Sequence, residues 1–135
     1  MRGLSLEGYW DEDKAKKMWD EELQDQVLES IELDDLDALR FKVNGSTYYL
    51  YDDGQCCCEN RYMTCHDDLT SFTGGTLLGV HVAEGPSSEG EEWGDCHEVQ
   101  FLRLYTSKGV IVCETHNEHN GYYGGFNVRL KKEGS

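Results

Sequence analysis

Apolar residues follow a helical spacing in the first part of the chain. Charged or amide residues fill most of the positions between them, and the apolar positions are Trp10, Ala15, Met18, Trp19 and Leu23. This spacing predicts an amphipathic helix over about residues 11–25, with Asp11 as its N-cap. We expect its apolar side to pack on a sheet, and a partner-binding face is the alternative.

The apolar spacing then shortens to two, which is the period of a half-buried β-strand. Residues 28–33 and 39–43 predict two strands, and Asn44-Gly45 predicts a tight hairpin into a tyrosine-rich strand over residues 47–51. A short helix is expected to begin near Asp67 and to end at Gly74-Gly75. A second hairpin is predicted from residues 99–105 and 110–115, with its turn at Ser107-Lys108-Gly109.

The second half of the sequence repeats the order of the first. Residues 27–33 match residues 76–82 at a constant offset of 49, and each half reads as helix, strand and hairpin. The sequence therefore predicts one α+β domain over residues 1–135, with a mostly antiparallel sheet or partly closed barrel of about six strands. Its predicted parts are an N-terminal extension with the acidic helix (1–26), a first β unit (27–66) and a second β unit (67–130).

The net charge of the chain disfavours some classes of binding partner. Acidic residues outnumber basic ones by 27 to 12, and the formal net charge of -15 repels nucleic acid and anionic membranes. The acids concentrate in residues 20–37 and 84–98, which are either a solvated face or a surface for a basic partner. The chain also lacks a run of about 20 apolar residues and an N-terminal secretion signal. We therefore expect a cytoplasmic protein.

Six cysteines in a chain with no secretion signal indicate reduced thiols rather than a disulfide framework. Zinc sites need four ligands at short spacings, yet the sequence contains no C-x-x-C pair. We expect no metal and no cofactor, and we interpret the cysteines as small buried apolar residues. The alternative is a structural zinc site, whose candidate ligands are Cys57, Cys65, His66, Cys96 and His97.

Two polar segments, residues 55–62 and 115–127, follow the two predicted hairpins and are expected to lie close together. The second contains three glycines around two tyrosines, and glycine lets a backbone approach a ligand closely. Tyrosine adds flat faces and hydroxyl groups, although an ordinary tight turn is the alternative reading. The predicted binding residues are Gln55, Glu59, Arg61, His116, Asn117, His119, Asn120, Tyr122 and Tyr123.

Catalytic signatures are weak in this chain. A cysteine with His116 or His119, or the carboxylate pair Glu114 and Glu118, would be the candidates. Neither set comes with a nucleophile elbow, a P-loop or a dinucleotide fingerprint. Nothing in the sequence orients the two histidines, which are predicted to lie in a loop. We therefore assign no catalytic residue.

Several short motifs resemble an uncharacterised small domain family of bacteriophages and actinobacteria. The motifs are Gln55-x-Cys57-Cys58-Glu59, then Asp67-Asp68-Leu69 with Gly74 and Leu77-Leu78, and finally His119-Asn120-Gly121-Tyr122-Tyr123-Gly124-Gly125. The resemblance spans about residues 27–130 and leaves the acidic helix outside. It carries no activity, and it implies a phage-type origin, with the host cytosol as the location of a phage-encoded chain.

The leading hypothesis is a non-enzymatic, phage-type accessory protein that binds an unknown protein or small ligand. A nucleotide-sequestering protein is one alternative and would use Arg61, Arg103 and Arg129. An acidic decoy that imitates nucleic acid would instead use residues 20–37, and a zinc-stabilised structural domain would use the Cys and His pairs. The aromatic strand at residues 48–51 further predicts a homodimer.

Overall fold

A computed structural model describes residues 3–5, 12–34, 37–52, 59–84, 88–89, 96–119 and 128–133. The first half of the chain contains two helical segments, α1 and a π-helical turn, and four strands after the short N-terminal strand β1. In chain order these are β1 (Gly3–Ser5), α1 (Glu12–Met18), the π-helical turn (Trp19–Leu23), β2 (Ser30–Leu33), β3 (Leu39–Val43), β4 (Ser46–Asp52) and β5 (Glu59–Cys65).

The second half opens with a 3-10 helix and continues with strands. They are the 3-10 helix (Leu69–Phe72), β6 (Leu77–Glu84), β7 (Ser88–Glu89), β8 (Cys96–Thr106), β9 (Gly109–His119) and β10 (Val128–Lys132). None of the helices within the described ranges is long and apolar enough to cross a membrane. Both predicted hairpins are present, β3 with β4 and β8 with β9.

The strands form two sheets, which corrects the prediction of one sheet or a partly closed barrel. The six-stranded sheet has the order β1-β6-β8-β9-β5 with β7 on β8, and the four-stranded sheet has the order β10-β4-β3-β2. Except for the parallel pair β1 and β6, all pairings are antiparallel. Each sheet has one apolar face, and two such faces are buried when the sheets pack on each other. Alternation alone does not distinguish this arrangement from closure of one sheet.

One hydrophobic core contains residues from both sheets and from the helical segments. Its largest fully buried side chains are Trp19, Phe41, Leu23, Leu28, Leu39, Leu50, Leu77, Leu102, Leu104, Ile111 and Val43. The predicted helix is shorter than expected, because the α-helix ends at Met18 and the π-helical turn ends at Leu23. Gln24 ends the helical segment with a ψ of 127°, and Asp25 follows in a left-handed conformation with a φ of 63°.

The two halves of the repeat both form three-stranded antiparallel meanders, but in different sheets. β2-β3-β4 belongs to the four-stranded sheet and β6-β8-β9 to the six-stranded sheet. The strand that follows each meander then joins the other sheet, since β5 pairs with β9 and β10 pairs with β4. The two halves have therefore exchanged their last strands.

A short antiparallel bridge joins the halves at the repeat itself. Val27 bridges Thr76, its own counterpart at the offset of 49. The backbone N–H of Leu28 donates to the carbonyl of Gly75, and the N–H of Leu77 donates to that of Gln26, both at 2.8 Å. Moving the donor of the first bond forward by 49 residues and its acceptor back by 49 gives the second bond. The segments are therefore related by a local two-fold axis through the bridge.

Candidate functional site

The register of β5 and β9 brings the two predicted polar segments side by side. Glu59 lies opposite His119, and Arg61 lies opposite Asn117. The expected proximity of the segments therefore holds for residues 59–62 and 116–119. The remaining predicted site residues lie outside the described residues, and they are Gln55, Asn120, Tyr122 and Tyr123.

His116 is on a strand and not in a loop, because β9 continues to His119. Along β9 the odd residues Ile111 and Cys113 are fully buried in the core, whereas Glu118 is exposed. Since successive side chains of a strand point to opposite faces, His116 lies on the outer face of the six-stranded sheet. Asn117 is fully buried and lies on the core face. The sheet thus separates two residues that were predicted to act together.

Four side chains from β5, β8 and β9 surround the His116 imidazole. Its Nδ1 is 3.0 Å from His97 Nε2, and its Nε2 is 2.9 Å from Thr64 Oγ1. Glu114 Oε2 is 3.5 Å from the same Nε2. The ring of Tyr62 stacks on the imidazole, with centroids 4.5 Å apart and planes 7° apart. We call these five residues the histidine cluster.

The surroundings of His116 determine which of its nitrogens carries the proton. Two oxygens, from Thr64 and Glu114, face Nε2, and a carboxylate accepts hydrogen bonds only. The carboxylate beside Nε2 favours the tautomer with the proton on this nitrogen, in which Nε2 donates to Thr64 Oγ1. Nδ1 then accepts a hydrogen bond from the Nε2–H group of His97. Three strands are linked by this series of directed bonds.

Burial sets the protonation of the cluster. The pKa of His116 is lowered, mainly because burial penalises the charged imidazolium and secondarily because His97 lies beside it. Glu114 and Glu118 oppose this shift without reversing it. The pKa of Tyr62 is raised by burial and then by the charge and hydrogen bond of Glu118. At neutral pH the rings of His116 and Tyr62 are therefore uncharged.

The structure separates the residues of the alternative zinc site. Cys65 lies opposite Cys113, whereas His97 lies opposite Glu118, five residues further along β9. Five residues of a strand span about 16 Å, which no single ion can bridge. Cys96 is on β8, His66 is exposed just after β5, and Cys57 lies outside the described residues. Within the described ranges, no three His, Cys, Asp or Glu side chains are grouped to hold a metal ion.

The sequence-based prediction included Tyr62 in a polar segment without choosing it as a binding residue, missed Thr64, and treated His97 only as a metal ligand. The alternation of side chains along β9 would have grouped several residues of the site from the sequence alone. Its even positions, read as a strand through residue 118, place Glu114, His116 and Glu118 on one face. A hairpin that turns at residues 107–108 then aligns His97 beside them.

The structure is that of a small α+β protein whose two mainly antiparallel sheets share one core. One of the sheets carries a polar aromatic cluster on its outer face. The chain belongs to the family described as Domain of unknown function (DUF7448), whose model matches residues 16–128. This confirms the resemblance to an uncharacterised family. The match begins inside α1, so the family includes part of the acidic helix that we expected outside it. No curated protein and no solved structure matches significantly.

The lowered pKa of His116 makes stability depend on pH in a defined direction. Above the ordinary histidine pKa of about 6.5, the ring is neutral in both folded and unfolded chains and has no linkage effect. As the pH falls below that value, the unfolded chain binds the proton first, so the free energy of unfolding should decrease until the pH passes the folded pKa. Urea unfolding of wild type and His116→Gln at pH 7.0 and 5.5 measures this loss.

The substitution should remove part of the difference between the two pH values, whereas Lys17→Ala, at an exposed position on α1, should leave it as in wild type. Carboxylates such as Glu22, whose pKa is lowered chiefly by its hydrogen bond with Lys132, lose their stabilising effect only at lower pH. An equal pH dependence in wild type and His116→Gln would contradict the assignment.

Proposed function

We propose that this chain is a non-enzymatic binding domain that holds a protein partner on the outer face of its six-stranded sheet. The observation that carries the proposal is the Tyr62–His116 stack, fixed by polar contacts from three strands on the face that the core does not use. A preformed aromatic surface loses little conformational entropy on binding. The phage-type accessory role implied by the family resemblance agrees with a partner of this kind.

Apolar and aromatic residues surround the histidine cluster on the same face. Val99 lies directly opposite His116, and Phe101 lies opposite Glu114. Both are only partly buried, as is Val112, and Val110 is 40% exposed. Half-exposed aliphatic and aromatic side chains around fixed polar groups are typical of a protein interface. The flat surface of a sheet also suits a protein better than a small ligand, which needs a concave site.

The tautomer of His116 favours binding over catalysis. A catalytic base must accept the proton of a nearby hydroxyl group through an unprotonated nitrogen. The nitrogen that faces Thr64 carries its own proton, because Glu114 lies beside it. The imidazole therefore donates to the Thr64 hydroxyl and does not activate it. The hydrogen bonds instead hold the ring in place for the stack with Tyr62.

Replacing Tyr62 with alanine should weaken the binding of a partner by about 1–3 kcal/mol, roughly 5- to 150-fold in Kd, because aromatic anchors dominate interface energies. The partner is first captured from cytosol of the cells that produce the chain, with the tagged wild-type protein as bait. Its Kd is then measured by titration calorimetry against each purified variant.

Two matched variants separate this proposal from the alternatives. Arg40→Ala changes the outer face of the other sheet, where Arg40 pairs with the exposed Glu32 at 3.1 Å, and it should bind as wild type does. A double substitution of the exposed Asp20 and Glu21 by their amides should also bind normally. Full binding by a folded Tyr62→Ala variant, together with a loss in the amide variant, would favour the acidic-decoy hypothesis. The predicted loop at residues 120–125 stays a prediction, tested by Tyr122→Ala and Tyr123→Ala in the same titration.

A further inference from the structure

Two cysteines from neighbouring strands face each other at the edge of the core. Cys65 is the last residue of β5, and it lies directly opposite Cys113 of β9. Cys113 is fully buried, whereas Cys65 is partly exposed and is followed by the exposed His66 and Asp67. Both are free thiols in the structure. One thiol is therefore accessible from solvent, and the second lies directly behind it.

The backbone of Val112 shows which kind of strand pair the two cysteines form. Its N–H donates to Asp67 Oδ2 at 2.8 Å, and its carbonyl accepts the Cys65 Sγ–H bond at 3.5 Å, so both groups point toward β5. Backbone groups of successive residues point to alternate sides of a strand, so those of Cys113 point toward β8. Cys65 and Cys113 thus form a non-hydrogen-bonded pair.

This kind of pair has the spacing that a disulfide requires. Cα atoms of a non-hydrogen-bonded antiparallel pair are about 4.5 Å apart, and disulfides span about 4.4–6.8 Å. The thiols also interact, because the hydrogen bond from Cys113 lowers the pKa of Cys65 and correspondingly raises the pKa of Cys113. Cys65 is therefore the thiol that ionises first, and Cys113 remains protonated until a reaction begins.

We propose that Cys65 and Cys113 form a thiol–disulfide exchange site that reacts with low-molecular-weight disulfides such as oxidised glutathione. Cys65 attacks one glutathione sulfur, breaks its S–S bond, and releases one glutathione as the thiolate. Cys113 then transfers its proton to that thiolate and attacks Cys65 Sγ, which releases the second glutathione and closes the Cys65–Cys113 bond. Two electrons pass from the protein dithiol to glutathione disulfide. The second glutathione leaves as a thiolate and takes up from water the proton that Cys65 lost before its attack, so both halves end as thiols.

The proposed bond lies next to the histidine cluster but does not depend on the proposed binding function. Thr64 and Glu114 form the neighbouring pair of the same two strands. A covalent link between β5 and β9 would therefore fix the relative position of the strands that carry Tyr62 and His116. The histidine cluster would then be held more rigidly in the disulfide form than in the dithiol form.

The folded full-length protein should form this bond in buffers of increasing oxidised-to-reduced glutathione ratio. After alkylation of free thiols, trypsin with an Asp/Glu-specific protease places Cys65, Cys96 and Cys113 on separate peptides. We expect mass spectrometry to find the Cys65 peptide linked to the Cys113 peptide as the main oxidised species. The intact mass of that species should fall by two hydrogen atoms.

Single substitutions test the order of the two steps. Cys113→Ser should stop at a stable mixed disulfide of Cys65 with glutathione, because the resolving thiol is missing. Cys65→Ser should leave Cys113 free in the folded protein, because Cys113 is fully buried. Circular dichroism verifies that each variant is folded. The proposal is wrong if the wild-type protein keeps both thiols alkylatable at every ratio, links them only in denaturant, or accumulates glutathione on Cys65 without closing the bond.

Discussion

Replacing Trp19 with alanine should lower the free energy of unfolding by about 3–5 kcal/mol, which is the usual cost of removing a large aromatic side chain from a core. Trp19 is fully buried at the start of the π-helical turn. Its indole N–H donates to Gln24 Oε1 at 2.7 Å, and Gln24 in turn donates to the carbonyl of Leu78 at 2.9 Å. The substitution therefore opens a cavity and removes the hydrogen bond that orients the Gln24 side chain toward β6.

Chemical denaturation followed by circular dichroism measures this loss without depending on tryptophan fluorescence. Lys17→Ala is the control, because Lys17 is exposed on α1 and alanine favours a helix. Its free energy of unfolding should stay within about 0.5 kcal/mol of wild type. A loss below about 1 kcal/mol in Trp19→Ala would contradict the central position of this side chain in the core.

Removing residues 128–135 should abolish the cooperative unfolding transition. Val128 and Leu130 of β10 are buried, and each contributes about 1.5–3 kcal/mol by leaving water. Lys132 also loses its 2.6 Å ion pair with Glu22, which ties the π-helical turn to this sheet. Since small domains are stable by only about 5–15 kcal/mol, the combined loss brings the shortened chain close to unfolding. The newly exposed edge of β4 should promote aggregation.

A chain that ends at Glu133 provides the control for this truncation. It keeps all of β10 and the hydrogen bond from the Glu133 N–H to the Thr47 carbonyl, at 2.8 Å. Thermal unfolding and light scattering should match those of the full-length protein. A cooperative transition in the shorter chain, at a temperature near that of wild type, would show that β10 is dispensable for the four-stranded sheet.

The hairpins could be predicted because their signals are local. Asn44 and Gly45 have φ values of 49° and 79°, the left-handed pair that a tight primed turn requires and that Asn-Gly favours. The repeat at an offset of 49 also identified two strands, β2 and β6, that begin similar meanders. The partners of β5 and β10 depend on contacts across most of the chain. No local spacing encodes those contacts, so the division into two sheets was not predicted.

The sequence predicted that the two polar segments of the candidate site lie close together, and β5 and β9 place residues 59–62 and 116–119 side by side. The residues of the site were chosen by chemical type along the sequence, so His116 and Asn117 were grouped although they point to opposite faces of β9. The same choice by chemical type left Tyr62 and Thr64 out of the predicted binding residues, because their relation to His116 exists only through strand register. Because the residues after 115 were predicted to form a loop, the alternation of side chains along a strand was not used to assign His116 and Asn117 to opposite faces.

The exchange of last strands also governs when this chain can fold during synthesis. β4 ends at Asp52 and its partner β10 begins at Val128, so more than half of the chain must leave the ribosome between them. At about 5–20 residues per second, β4 waits roughly 4–15 s for the strand that covers its edge. The four-stranded sheet therefore still lacks β10 when its other three strands have all left the ribosome. A chaperone that shields β4 during this interval would raise the yield of native protein.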